Sequence, residues 1–257
     1  MDLFALLDGM SSTNHYDLPE GLSVPFLGSK YRIWKQLCSH FPIYGQKYLE
    51  LFAGRGNIFF NFQPIAVYNH YQLNDKYTGK FFRALKEVDL ALLPDRYFLD
   101  NGSFELWRQK ASINDPMALV LEPFVTFQGV GYQFGVGTIY KKQYDRVIQL
   151  LRIIKKQIQN VQVTTTDYVY VDVANLTFND FVYCDPPYLG CKDRVFPNID
   201  HNEFLQFIKS TKARWAISGY DSELYLQELG EPTIRLPKIL TSSGCNNTAI
   251  ECLWTNY

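Results

Sequence analysis

The chain has 257 residues, of which 47% are hydrophobic, and a formal net charge of −1. That composition excludes a disordered chain and is enough for one sizeable core, with room for an inserted module. No apolar run approaches the roughly 18–20 residues that span a bilayer, and a charge so near zero excludes a global pull toward nucleic acid, so any such contact must rest on local basic patches.

Residues 1–20 are expected to form a short helix and a polar stretch ending at Pro19, an appendage to the main body. Met1-Asp2-Leu3-Phe4 lacks the basic start of a secretory signal, which fits a soluble intracellular protein. Cys38, Cys184, Cys191, Cys245 and Cys252 include no C-x-x-C pair, and the four histidines show no H-x-x-x-H spacing. Reduced thiols and no metal site are therefore expected.

Patterning becomes strong from Val24 onward. Residues 31–41 read as a helix after a Gly-Ser turn. Residues 48–52 form a short apolar run ending in Ala53-Gly54-Arg55-Gly56-Asn57, and an apolar helix is expected from Ile58. Residues 65–73 read as the next strand, ending in Asn74-Asp75, followed by a helix over 76–88. Residues 93–152 break this alternation. They read as helices around a β-hairpin that holds Gly129, Gly131, Gly135 and Gly137 among aromatics. Strands are expected again over 161–165, 181–184 and 215–217, the last ending in Ser218-Gly219-Tyr220. A helix over 200–210 carries Asp200 as N-cap and Glu203 three residues on, a capping box. Residues 249–257 read as a last edge strand.

Strands alternating with helices predict an α/β sheet, in which ligands bind outside the carboxyl ends of the strands. Those ends carry Gly54, Asp75, Asp167, Asp185 and Ser218. The Gly54-Arg55-Gly56 turn permits close approach of backbone to a ligand. It lacks the third glycine of the dinucleotide fingerprint, because Phe59 stands there, which counts against a nicotinamide cofactor. Asp75 suits the hydroxyls of a ribose, or equally a helix N-cap. Asp185-Pro186-Pro187-Tyr188 is the most telling segment. Two prolines fix the backbone and remove two N–H donors while the carbonyls remain as acceptors. An acid, rigid carbonyls and an aromatic ring side by side suit the grip of a planar aromatic amine.

Asp185-Pro186-Pro187-Tyr188 resembles the catalytic motif of the Dam-like DNA adenine-N6 methyltransferases. Further segments follow in that family's order. Pro25-Phe26-Leu27-Gly28-Ser29-Lys30 resembles its N-terminal cofactor motif, and Glu50-Leu51-Phe52-Ala53-Gly54-Arg55-Gly56-Asn57 its glycine motif. Asn74-Asp75 resembles its ribose-binding acid, and Asp167-Tyr168 the pair that reads the cofactor adenine. Ile217-Ser218-Gly219-Tyr220-Asp221-Ser222 and Leu253-Trp254-Thr255-Asn256-Tyr257 resemble late family segments.

The resemblance implies a Rossmann-like sheet that binds S-adenosylmethionine, with an inserted helical and β-hairpin module for DNA recognition. Residues 21–92 and 153–257 would form the catalytic domain and 93–152 the target-recognition module. Phe26, Lys30, Phe52, Gly54, Gly56, Asp75, Asp167, Tyr168 and Asp185 would contact the cofactor, Lys30 through the methionine carboxylate. Asp185, Pro186, Pro187 and Tyr188 would act on the flipped adenine. Tyr132, Gln133, Phe134, Lys141, Lys142, Lys192 and Arg194 would contact DNA. The partner is double-stranded DNA, with a cognate restriction endonuclease as a candidate second partner. The protein is expected to be a monomer or weak dimer in the cytoplasm of a prokaryotic or phage-infected cell.

Two features depart from the family's pattern. Arg55 stands where a small residue is usual. Leu121-Glu122-Pro123-Phe124 imitates the glycine motif, but its glycines come too late, at Gly129 and Gly131, and it is read as a decoy. Two rival readings stay open: a methyltransferase acting on an amine of RNA or a small molecule, and a catalytically degenerate scaffold that binds DNA.

Overall fold

The computed structural model describes residues 21–93, 101–126, 141–190, 196–236 and 250–257, with backbone alone for 101–104 and 141–144. The expected appendage at 1–20 and hairpin at 127–140 lie outside these residues. The chain divides into two compact units, one formed by residues 1–43, 54–67 and 78–161, the other by 44–53, 68–77 and 162–257.

The second unit holds a seven-stranded sheet in the order β3-β2-β1-β4-β5-β7-β6. The strands are β1 (Tyr44–Glu50), β2 (Val67–Asn74), β3 (Gln162–Thr164), β4 (Phe181–Cys184), β5 (Arg214–Tyr220), β6 (Ile234–Leu236) and β7 (Glu251–Thr255). Pairing is parallel for β2–β3, β1–β4 and β4–β5, and antiparallel for β5–β7 and β6–β7. The chain runs outward from β1 to β2 and β3, then returns to place β4 on the other side of β1. The carboxyl ends of β1 and β4 therefore flank the point where strand order reverses, the usual ligand position in open α/β sheets.

Alternate residues of a strand share a face. Leu49 and Leu51, Val182 and Cys184, and Trp215 and Ile217 line one face and form a buried cluster with Phe204, Leu205, Ile208, Tyr225 and Trp254. Phe204, Leu205 and Ile208 recur at helical spacing on α7 (His201–Lys209). Asp200 starts that helix by accepting the backbone N–H groups of Asn202 at 2.8 Å and Glu203 at 3.1 Å. Tyr225 lies on α8 (Glu223–Leu229), capped by Ser222 and ended by Gly230 at φ 78°.

The first unit is helical. It contains α1 (Trp34–Cys38), α2 (Phe59–Phe62), α3 (Gly79–Glu87), α4 (Asn101–Ser112), α5 (Pro116–Val125) and α6 (Lys141–Ile158). Asp115 caps α5 by accepting Ala118 N–H at 2.9 Å, and Pro116 occupies its first turn, where no N–H is needed. Lys155 of α6 donates to the carbonyls of Leu85, Lys86 and Val88 at 2.7–2.8 Å. Those are the orphan acceptors at the end of α3, and a cation suits that pole of the helix.

Several elements differ from the sequence expectation. The helix over 31–41 is a 3₁₀ turn, Lys30–Ile33, followed by the short α1. Pro42 disfavours helical backbone at Phe41, so the element ends early. The helix from Ile58 stops after Phe62, because Pro64 cannot continue the hydrogen-bond ladder. Ser218 is not a strand end: it lies inside β5 with 0% exposure. Residues 249–257 are not an edge: β7 is flanked by β5 and β6. The true edge, β6, has three residues and no periodicity long enough to read. Among the described residues, no helix is long and apolar enough to cross a membrane, and Cys38, Cys184 and Cys252 are buried.

Candidate active site

In the sheet unit, Asp185 follows directly on the last residue of β4. Central β4 is buried throughout, which fixes where that carboxylate emerges; Asp185 itself is half-buried and Pro186 buried. Tyr188 donates its hydroxyl to the Glu251 carboxylate. Its ring meets Tyr220 edge to face, with centroids 4.5 Å apart. One residue before Asp185 is Cys184; one further back, the Tyr183 hydroxyl bonds Ser218 at 2.8 Å. Burial, reinforced by the charge of Asp185, pushes the Tyr183 and Tyr188 phenols and the Cys184 thiol well above their ordinary pKa values. These groups are neutral at working pH, and Cys184 is no nucleophile. The carboxyl group that emerges from the end of this strand is that of Asp185.

The neighbouring strand ends are tied together by Asn74. Its amide donates to the carbonyls of Leu51 at 3.1 Å and Thr166 at 3.2 Å, and its oxygen accepts the Thr164 hydroxyl at 2.8 Å. Asp75 follows, half-buried, and accepts the Tyr77 N–H at 2.9 Å, so part of its capacity serves the turn before α3. Asp167 pairs with Lys76 at 2.9 Å. Tyr168 is buried against Phe52, Phe204 and Phe207, with centroids 5.3–5.7 Å away. Burial, and then the nearby acids, push its phenol up to about 12. Phe52 and Tyr168 thus form one aromatic wall behind Asp167.

In the helical unit, Gly54 and Gly56 have φ of +54° and +75°, backbone that side chains rarely adopt. A Cβ at Gly54 would come within 2.8 Å of the Phe26 ring. Phe26 therefore lies directly on the turn. Two asparagines one helical turn apart hold it there. Asn57 exchanges hydrogen bonds with Val24 at 2.7 and 2.8 Å, and Asn61 with Leu22 at 2.7 Å. The Gly54 carbonyl accepts the Thr78 hydroxyl. Lys30 is buried to 8% exposure, with its ammonium 2.9 Å from the Gly28 carbonyl, and so is not a solvated helix lysine.

Arg55 is buried at 2% exposure, with its guanidinium 5.1 Å from the Phe81 ring centroid and 6.0 Å from that of Phe26. It pairs with Glu122 of α5, which also lies 3.7 Å from Lys80. The segment read as a decoy is thus a helix that supplies the counter-charge for the departure at Arg55. The contacts of Glu122, Asn74 and Glu251 were not read from the sequence, since each acts on a residue distant in the chain. Tyr132, Gln133, Phe134, Lys192 and Arg194 lie outside the described residues, as do the side chains of Lys141 and Lys142.

The sequence model of the D12 class N6 adenine-specific DNA methyltransferases matches residues 26–98 and 119–225, well over half of the chain. The matched segments hold Phe26, Lys30, Gly54, Gly56, Asp75, Asp167 and Asp185 to Tyr188. No curated protein matches. Among solved structures, a conserved hypothetical protein from Streptococcus pyogenes is 12% identical, over 89% of this chain and 96% of that one, with a TM-score of 0.35. A methyltransferase from Geobacter sulfurreducens is 12% identical, over 98% of this chain and 94% of that one, with a TM-score of 0.36. With so much of its length matched, the chain belongs to the D12 class N6 adenine-specific DNA methyltransferase family.

Proposed function

We propose that this protein uses S-adenosylmethionine to methylate the exocyclic N6 amine of an adenine flipped out of double-stranded DNA. The observation that carries the proposal is the half-buried Asp185 carboxylate at the reversal point of the sheet, followed by two prolines and by a tyrosine whose hydroxyl is anchored.

Each unit by itself carries residues that suit one part of an amino-acid nucleoside. Asp75 stands at a strand end where a ribose is met, and Phe52 and Tyr168 form an aromatic wall behind Asp167. The glycine turn at Gly54 leaves no room for a Cβ, and the buried Lys30 suits a carboxylate. When bound, S-adenosylmethionine supplies a methyl group on a positively charged sulfur, which the target amine displaces.

The adenine amine is a weak nucleophile because its lone pair is delocalised into the ring. Asp185 accepts one N6–H and the Pro186 carbonyl the other, which localises the lone pair on nitrogen. The Asp185 carboxylate then holds the proton that the methylated nitrogen sheds. Tyr188 stacks on the base. Positioning of this kind contributes on the order of 7–11 kcal/mol to the lowering of a barrier, with fixed acceptors adding to it. The target atom is within reach only after base flipping, and phosphate contacts from Lys141, Lys142, Lys192 and Arg194 position the duplex.

The test is transfer of labelled methyl from S-adenosylmethionine to mixed-sequence duplex DNA, followed by nucleoside analysis. Label in N6-methyladenine is the expected result. Label in RNA or a small amine, with duplex DNA left unlabelled, overturns the substrate assignment. Failure to bind the cofactor overturns the enzymatic one.

A further inference from the structure

Glu251 opens β7, and its backbone has a register partner on each side, Tyr220 of β5 and Leu236 of β6. Its side chain is buried, at 8% exposure, and accepts the Tyr188 hydroxyl. The Tyr188 ring in turn meets Tyr220 at an interplanar angle of 78°. Tyr220 and Glu251 are direct partners across the two strands, so a single cross-strand pair makes both contacts with Tyr188. One contact sets the tilt of the ring and the other tethers its far end. A tyrosine without that tether turns about its side-chain torsions and presents its face over a range of angles.

We propose that Glu251 is a positioning residue for the methyl-transfer reaction: by holding the Tyr188 hydroxyl it fixes the ring face against which the target base stacks. The inference rests on the functional reading above. The polarity of the bond suits the task. Burial first, then the charges of Asp185 and Glu251, keep the Tyr188 phenol protonated, so it remains a donor. The Glu251 carboxyl oxygen accepts that bond. Glu251 lies beyond the 26–98 and 119–225 segments that match the family model.

The experiment compares methyl transfer to mixed-sequence duplex DNA by the wild type, Y188F, E251Q, E251L and the Y188F/E251L double variant, with cofactor affinity measured by calorimetry. Y188F and E251L are each expected to lower kcat roughly tenfold to a hundredfold while cofactor affinity holds. E251Q keeps an acceptor oxygen and should fall between them and the wild type; it also carries the test if E251L does not fold. Because the two residues act through one bond, the double variant should be no slower than the slower single variant. Losses that multiply in the double variant, or a wild-type rate in E251L, overturn the proposal. In protein labelled with 3-fluorotyrosine, the resonance that vanishes in Y188F must shift in E251Q, and an unshifted resonance likewise overturns it. A wild type that binds cofactor but leaves DNA unmethylated overturns the functional reading instead, and the fluorine shift still decides whether Glu251 holds Tyr188.

Discussion

Asp185 is surrounded by groups that are held neutral: the Tyr183 and Tyr188 phenols and the Cys184 thiol are all pushed up by burial. No neighbouring side chain on this turn can take over its charge. Asp185→Ala is therefore expected to lower methyl transfer by about a hundredfold or more, the scale seen when a fixed polar group at a reacting centre is removed. Asp185 is half-buried, so the variant should keep its circular dichroism. A variant with near-wild-type turnover would sink the assignment. This residue was legible in the sequence because its signal is local: an acid, two prolines and an aromatic ring in four consecutive positions. Glu251 and Asn74 were not. The partner of Glu251 lies 63 positions away in the chain and those of Asn74 lie 23 to 92 positions away, and no local pattern encodes a contact that only the closed sheet creates. Lys30 shows the opposite limit: its position was readable, but its burial was not.

Between elements, the buried Arg55–Glu122 pair fastens the glycine turn to α5. Each of these buried groups has the other as a close counter-charge, so removal of one takes that counter-charge away. Glu122→Gln is expected to destabilise the fold by about 3–5 kcal/mol, read as a lower denaturant midpoint. Replacing both residues by methionine should cost less than Glu122→Gln alone; equal or greater loss in the double variant would show that the pair contributes no charge coupling. A second element-scale effect lies at the start of α7. The buried His201 ring bonds the Tyr225 hydroxyl of α8 at 2.9 Å. Burial lowers its pKa from 6.5, although Asp200 and a backbone hydrogen bond at Pro187 oppose the shift. The folded pKa is then below the unfolded one, so the unfolded chain binds more protons between the two values. Stability should be flat above about pH 6.5 and decline as the pH falls through the folded value. Denaturant titrations at about pH 7.5 and pH 5.5 should show this decline, and His201→Gln should reduce it; an unchanged slope would place the acid sensitivity elsewhere. Element boundaries followed the same logic of local signal. The apolar run of β4 was readable to the residue. The three-residue β6 was invisible, and β5 ran on through Ser218 because its bond to Tyr183 satisfies a buried hydroxyl that by itself reads as a turn residue.

For the whole molecule, the near-zero net charge sets how DNA can be held. A chain at −1 has no overall field to attract a polyanion, so affinity must come from a few cations whose contacts release counterions. The proposal assigns that task to Lys141, Lys142, Lys192 and Arg194. Each phosphate contact contributes a slope of about −0.9 to the dependence of log affinity on log salt. A protein with four such contacts should thus show a slope of about −3.6, far shallower than a broadly basic DNA-binding protein. Lys141→Ala with Lys142→Ala should flatten it by nearly two units and weaken binding across all sequences alike. It should leave turnover at saturating DNA unchanged, because these residues position the duplex and do not touch the amine. The slope is read from binding isotherms at several salt concentrations with the cofactor present. A slope unaltered in the double variant would remove both lysines from the interface and shift DNA contact to other residues. A flattened slope accompanied by lost turnover would instead mean that α6 helps to seat the flipped base.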